Sequence, residues 1–219
     1  MSAGFRPGGP DYTAGMDERL IENFAEAARW VEALVGRLDP SAWDGPGLGD
    51  WSMRALVGHT SRSLLTVESY MKTTADEVAL DSLEAYFAFV ATQTSTDPGA
   101  VFERGVAAGE ALGSDPGRAL SEIADRVIPL VQSAEDRVMT TAAGPMLLSA
   151  YLPTRMFELT VHGLDIAAAA GITASAPRGP LVESLGIAAR LAARGGDGER
   201  VLLALTGRAA LGDRFSVLD

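Results

Sequence analysis

The chain carries two histidines, His59 and His162, and each falls in an apolar segment with helical spacing. Glu158 precedes His162 by one helical turn, so a carboxylate and an imidazole share a helix face. An imidazole from a second helix would complete a set of two nitrogen donors and one carboxylate. Catalytic zinc uses such sets and keeps a coordination position for water or substrate. Taken singly, each residue has a plainer reading: a hydrogen-bonded core histidine, a surface glutamate, or a helix-stabilising Glu–His pair. Taken together they ask for a counter-charge. Burying Glu158 unpaired costs on the order of several kcal/mol, and a divalent cation is one of the few partners that offset it.

At about 100° per residue, Tyr151, Arg155, Glu158, His162 and Asp165 span an arc of roughly 80°. Leu152, Met156, Leu159 and Ile166 flank that ribbon on one side, and Phe157, Val161 and Leu164 on the other. Such a ribbon faces either solvent or a polar cavity inside a helical assembly, and the width of the apolar arc favours the cavity. Asp165 would orient His162 as a hydrogen-bond acceptor, or lie on the surface. Arg155 would hold a substrate carboxylate, or pair with a nearby acid. Tyr70 and Tyr151 are candidates to line the pocket. Trp43 and Trp51 are expected to pin the loop between the first two helices, and Arg62 to be solvated.

The elements that must position these residues are helical. Residues 17–38 carry an apolar stripe that includes Leu20, Phe24, Val31, Leu34 and Leu38, and Asp39-Pro40 stops it. A loop over 41–50 contains Gly45, Gly47 and Gly49, whose spacing fits neither nucleotide-binding fingerprint. Ser52 or Asp50 caps a second helix to about residue 74, with Leu56, His59, Ser63, Thr66 and Tyr70 on its buried side. A helical region over 81–112 is interrupted at Asp97-Pro98-Gly99. The spacing then predicts a long helix over 116–142, kinked at Pro129. Gly144-Pro145 breaks the chain, and a helix over 147–170 ends at Gly171. A shorter helix follows over 181–194, and 201–205 reads as helix or strand. Four or more long helices with short connections point to an antiparallel bundle.

Composition narrows the function. With 47% hydrophobic and 21% charged residues, the chain suits a globular protein with a substantial core. The net charge is −11, and no basic cluster offers a surface to nucleic acid or anionic membrane. Cysteine is absent, which excludes disulfides, thiolate metal ligands and a cysteine nucleophile, and makes a reducing cytoplasm the expected compartment. Residues 1–16, rich in Gly and Pro without an apolar signal core, read as a flexible tail.

The segment Trp51-Ser52-Met53-Arg54-Ala55-Leu56-Val57-Gly58-His59, with Arg155-Met156-Phe157-Glu158-Leu159-Thr160-Val161-His162-Gly163-Leu164-Asp165, resembles a known family. It is similar to the metal-binding N-terminal domain of mycothiol-dependent maleylpyruvate isomerases, within the wider DinB-like superfamily of four-helix metalloproteins. The similarity covers roughly residues 17–171. It implies an all-α, DinB-like antiparallel four-helix bundle over 17–171, with a short C-terminal extension over 172–219. It also implies that His59, Glu158 and His162 are the ligands of a divalent metal, with Zn²⁺ expected and Ni²⁺ the second choice.

The family's isomerases append a C-terminal domain that supplies an active-site arginine, and 172–219 is too short to hold it in full. The implied activity is therefore the coarser one: a low-molecular-weight thiol of the mycothiol type, as cosubstrate, isomerising a small electrophile or adding to it. The thiol would bind the metal as thiolate and attack an electrophilic carbon. Without cysteine, any sulfur nucleophile has to come from outside the chain. The alternatives are a metal-dependent hydrolase, which keeps an activated water, and a non-catalytic metal-binding module. The expected partners are small molecules, neither nucleic acid nor membrane, and monomer and homodimer both stay open.

Overall fold

The computed structural model describes residues 16–213 and 215–218, without the side chains of residues 94, 95 and 98. The expected N-terminal tail lies outside the described residues, apart from Met16. The chain is helical: α1 (Glu18–Val35), α2 (Met53–Tyr70), α3 (Leu83–Thr96), α4 (Pro98–Ala111), α5 (Pro116–Gln132), α6 (Leu148–Ala169), α7 (Arg178–Gly195) and α8 (Gly198–Leu205). A hairpin of β1 (Val138–Thr141) and β2 (Gly144–Leu147) precedes α6. None of the helices in the described residues is long and apolar enough to cross a membrane.

Local chemistry sets the helix starts. Asp17, Ser52 and Ser82 each accept a first-turn backbone N–H. Asp97 and Asp115 do the same ahead of a proline at the first helical position, so Asp97-Pro98 both ends α3 and starts α4. Gly171, at φ +64°, follows the end of α6. Residues 201–205, ambiguous in sequence, are helical.

One expected element is corrected. The helix predicted over 116–142 ends at Gln132, three residues past Pro129, and 138–141 is a strand. The apolar spacing continues through Ala134 and Val138, but competing hydrogen bonds take over. Asp136 accepts the backbone N–H of Ser149 at 3.0 Å, and the Arg137 guanidinium donates to the Thr73 carbonyl at 2.9 Å. Gly144, at φ +129°, allows the turn that pairs the β-branched Val138 and Thr141 with β2. The Pro145 carbonyl then accepts from both Ala79 and Leu80, tying the hairpin to the loop after α2.

Helices α1 and α2 each pack against both α5 and α6, so these four enclose the main core. Leu56, Val57, Leu120, Val127, Leu152 and Leu159 lie within it, almost fully buried. Helix α4 lies along α2, α3 packs on α6 and α4, α7 packs on α6 and α1, and α8 packs on α7.

Two glycines let neighbours approach the histidine-bearing helices closely. A Cβ on Gly58 would meet the backbone nitrogen of Gly109 at 2.1 Å, so α2 and α4 touch main chain to main chain beside His59. A Cβ on Gly163 would meet the Trp30 ring at 2.2 Å, beside His162. Backbone at the first contact cannot yield as a flexible side chain would. Gly58→Ala is therefore expected to destabilise the fold by about 1–3 kcal/mol, read as a lowered denaturant midpoint at constant m-value, and to displace His59.

Candidate metal centre

Helix α2 delivers His59, and α6 delivers Glu158 and His162 from successive turns. One Glu158 carboxylate oxygen lies 3.1 Å from Nε2 of His162 and 4.0 Å from Nε2 of His59. The two imidazoles meet edge to face, with ring centres 5.0 Å apart. One donor atom from each of the three residues falls within 4.8 Å of the others. The side chains of His59, Glu158 and His162 are 20%, 18% and 13% exposed, which shields the charge and still leaves a ligand access.

The neighbours complete the arrangement. Nδ1 of His162 lies 3.0 Å from an Asp165 carboxylate oxygen, which fixes the ring and leaves Nε2 facing Glu158. Asp165 is thus an acceptor behind the histidine. Among the described residues the His59 side chain makes no hydrogen bond: Nε2 is too far from Glu158 for one, and Nδ1 is buried without a partner. Trp51 stacks on its ring at 4.6 Å and donates its indole N–H to the Phe102 carbonyl at 3.1 Å. Expected to pin the loop before α2, this tryptophan instead has its ring between His59 and α4.

The charges are strongly coupled. Burial, assisted by the positive charge of His162, pushes the His59 imidazole down to about 4. Burial opposes the Glu158 charge, but the hydrogen bond with His162 and the charge of Arg155 outweigh it and hold the carboxyl down at about 2. Burial likewise opposes the His162 charge, and hydrogen bonds with Asp165 and Glu158 overcome it, raising the imidazole to about 9. An unpartnered imidazole, an ionised carboxylate and a second oriented imidazole around one point suit a divalent cation; this donor set fits. Asp165→Asn is expected to lower metal affinity by about 10–100-fold, measured by chelator competition at pH 9, where protonation of His162 competes least.

Two cavities meet at His59 and Glu158. The first, of about 390 Å³, is the more polar of the two, with Arg62, Ser63, Thr66, Tyr70, Tyr86 and Arg155 in its wall beside apolar residues such as Phe89 and Val101. Tyr70 lies in this wall. Tyr151 lies behind that wall, fully buried, and donates its hydroxyl to Oγ1 of Thr66 at 2.8 Å. Arg155 is 9% exposed, its guanidinium 5.1 Å from the Tyr86 ring and 5.0 Å from the Tyr151 ring. Its Nε donates to Thr154, and among the described residues it forms no ion pair with a carboxylate. Arg62, expected in solvent, is half-buried in this wall instead. The second cavity, of about 580 Å³, also touches His162 and is largely apolar.

Tyr86 went unnoticed in the sequence. It sits in Leu83–Val90, a stretch apolar almost all round, where periodicity singles out no face. Trp51 and Arg62 flank His59 in sequence, but only the backbone geometry turns them towards it.

A histidine from one helix facing a Glu-x-x-x-His pair on another defines a helical protein with a candidate metal centre. A family model described as the mycothiol maleylpyruvate isomerase N-terminal domain matches residues 24–167. The chain belongs to that family, and its helical architecture is consistent with the wider DinB-like superfamily. No curated protein and no solved structure gave a match.

Proposed function

We propose that this protein is a metal-dependent enzyme that uses a thiol of the mycothiol type to isomerise a small electrophile or to add to it. In this reading residues 17–171 form the DinB-like antiparallel four-helix bundle, and 172–219 form a short C-terminal extension. His59, Glu158 and His162 hold one divalent cation, Zn²⁺ by preference. The observation that carries the reading is their convergence, with donor atoms within 4.8 Å, where two cavities meet. A cation held there supplies Lewis acidity, which lowers the pKa of a coordinated thiol.

The chain's own groups do the rest. Asp165 holds His162 in the tautomer that turns Nε2 inward. Tyr86 and Tyr151 clamp Arg155, whose remaining N–H donors serve acceptor groups of a reactant in the more polar cavity. Tyr70 contributes a hydroxyl to the same wall. With no cysteine in the chain, the sulfur is external, and a reducing cytoplasm supplies it.

The test has two stages. Protein purified without chelators should contain about one metal ion per chain by elemental analysis. The loaded protein should then speed the consumption of mycothiol with members of a panel of conjugated and epoxide electrophiles. Metal-loaded protein that accelerates none of them would reduce the chain to a metal-binding module. Hydrolysis without thiol consumption would make it a hydrolase.

A further inference from the structure

We propose that the larger cavity binds the apolar portion of the electrophile, an aryl or alkyl group, while the thiol occupies the polar cavity. The inference rests on the thiol-using reading above and adds the substrate class. Each cavity reaches His59 and Glu158, so two reactants entering from the two sides meet at the candidate metal centre. Their walls differ in chemistry. Besides the three candidate ligands, Leu48, Trp51, Phe87, Val101, Leu191 and Val217 dominate the larger one. Its other charged residues are Glu84, committed to Arg190 at 2.9 Å, and the exposed Arg194.

Its volume, about 580 Å³, falls within the range of small-molecule sites. Part of the wall comes from the last described residues. Arg200 lies over the Phe215 ring at 4.8 Å, and Val217 and Leu218 follow against the cavity. An apolar group gains from leaving water here, whereas a hydrophilic thiol would lose hydrogen bonds that the polar wall can supply. In the reaction, the thiol sulfur bonds to the β carbon of a conjugated carbonyl compound, and the thiol proton ends on the α carbon. The addition is redox-neutral and needs no further reactant.

Two readouts test this on the full chain. The neutral apolar dye N-phenyl-1-naphthylamine should bind saturably, and Ala91→Phe, which fills the cavity wall, should weaken it at least tenfold. Leu218→Trp, at a wall position 40% exposed, provides a second variant that leaves the helices untouched. Metal content and far-UV circular dichroism should stay unchanged in both. With mycothiol and a series of 2-alkenals, kcat/KM should rise about fourfold per added methylene until the cavity is full. Ala91→Phe should flatten that rise. Absent dye binding, dye binding unchanged in both variants, or a chain-length-independent kcat/KM in active enzyme would each overturn the assignment. Variant-sensitive dye binding in protein inactive towards every electrophile would keep the apolar site and count against the thiol chemistry instead.

Discussion

Protein carrying Glu158→Ala is expected to emerge from purification without stoichiometric metal while keeping its helical content. Glu158 is the central donor, lying 3.1 Å from one imidazole nitrogen and 4.0 Å from the other. In the proposed site it is also the anion that would balance a cation between them. Losing a residue that merely orients a ligand costs about 10–100-fold in affinity, so losing the carboxylate itself should cost more than about 100-fold. The fold should survive, because Leu152, Met156 and Leu159 anchor α6 in the core from other faces, at 0–1% exposure. Glu158→Gln keeps the side-chain volume and should lose metal equally, which separates charge from packing. Elemental analysis beside circular dichroism checks both variants. Normal metal content in either would refute the ligand assignment.

Metal affinity should rise by close to tenfold between pH 7 and pH 8 and less steeply towards 9, roughly fiftyfold between pH 7 and pH 9. In the metal-free protein His162 stays protonated to about 9, because Asp165 and Glu158 overcome its burial. Coordination needs the neutral imidazole, so binding at pH 7 expels a proton. Calorimetry in buffers of different ionisation enthalpy should report close to one proton released. A flat affinity profile would show that metal binding expels no proton from His162.

The same groups shape the stability of the metal-free fold. The raised His162 contributes stability that is full below the ordinary 6.5 and is lost as pH rises through about 9. His59, held down at about 4, works in the opposite sense: its neutral burial costs stability increasingly as pH falls from 6.5 towards 4. The depressed Glu158 contributes stability present above 4.5 and lost as pH falls towards 2. The metal-free protein should therefore be most stable near pH 6–7 as far as these groups decide it, and the thermal shift on adding metal should grow above that range. Differential scanning fluorimetry with and without Zn²⁺, between pH 6 and pH 9, measures both.

Much of the site was legible because it obeys helical arithmetic. Glu158, His162 and Asp165 lie on one helix, where spacing alone fixes their shared face, and the hydrogen bond from His162 to Asp165 follows from it. The approach of His59 depends on how α2 crosses α6, which no local pattern encodes; the resemblance to a family supplied it. Tertiary context also decided the strand at 138–141, where bonds to Thr73 and Ser149 overrode a continuing apolar period. Arg155 shows the same limit. Its position on the polar ribbon was clear, yet whether it met an acid or a tyrosine pair depended on Tyr86 arriving from α3.

Each histidine adjoins a glycine where a neighbour presses directly on its helix: the α4 backbone at Gly58 and the Trp30 ring at Gly163. The separation of the donors is thereby fixed from behind, by groups that line neither cavity. Selection can rewrite the cavity walls residue by residue without disturbing the spacing of the ligands. On the proposed reading, such a scaffold would let substrates diversify while the inorganic chemistry held constant.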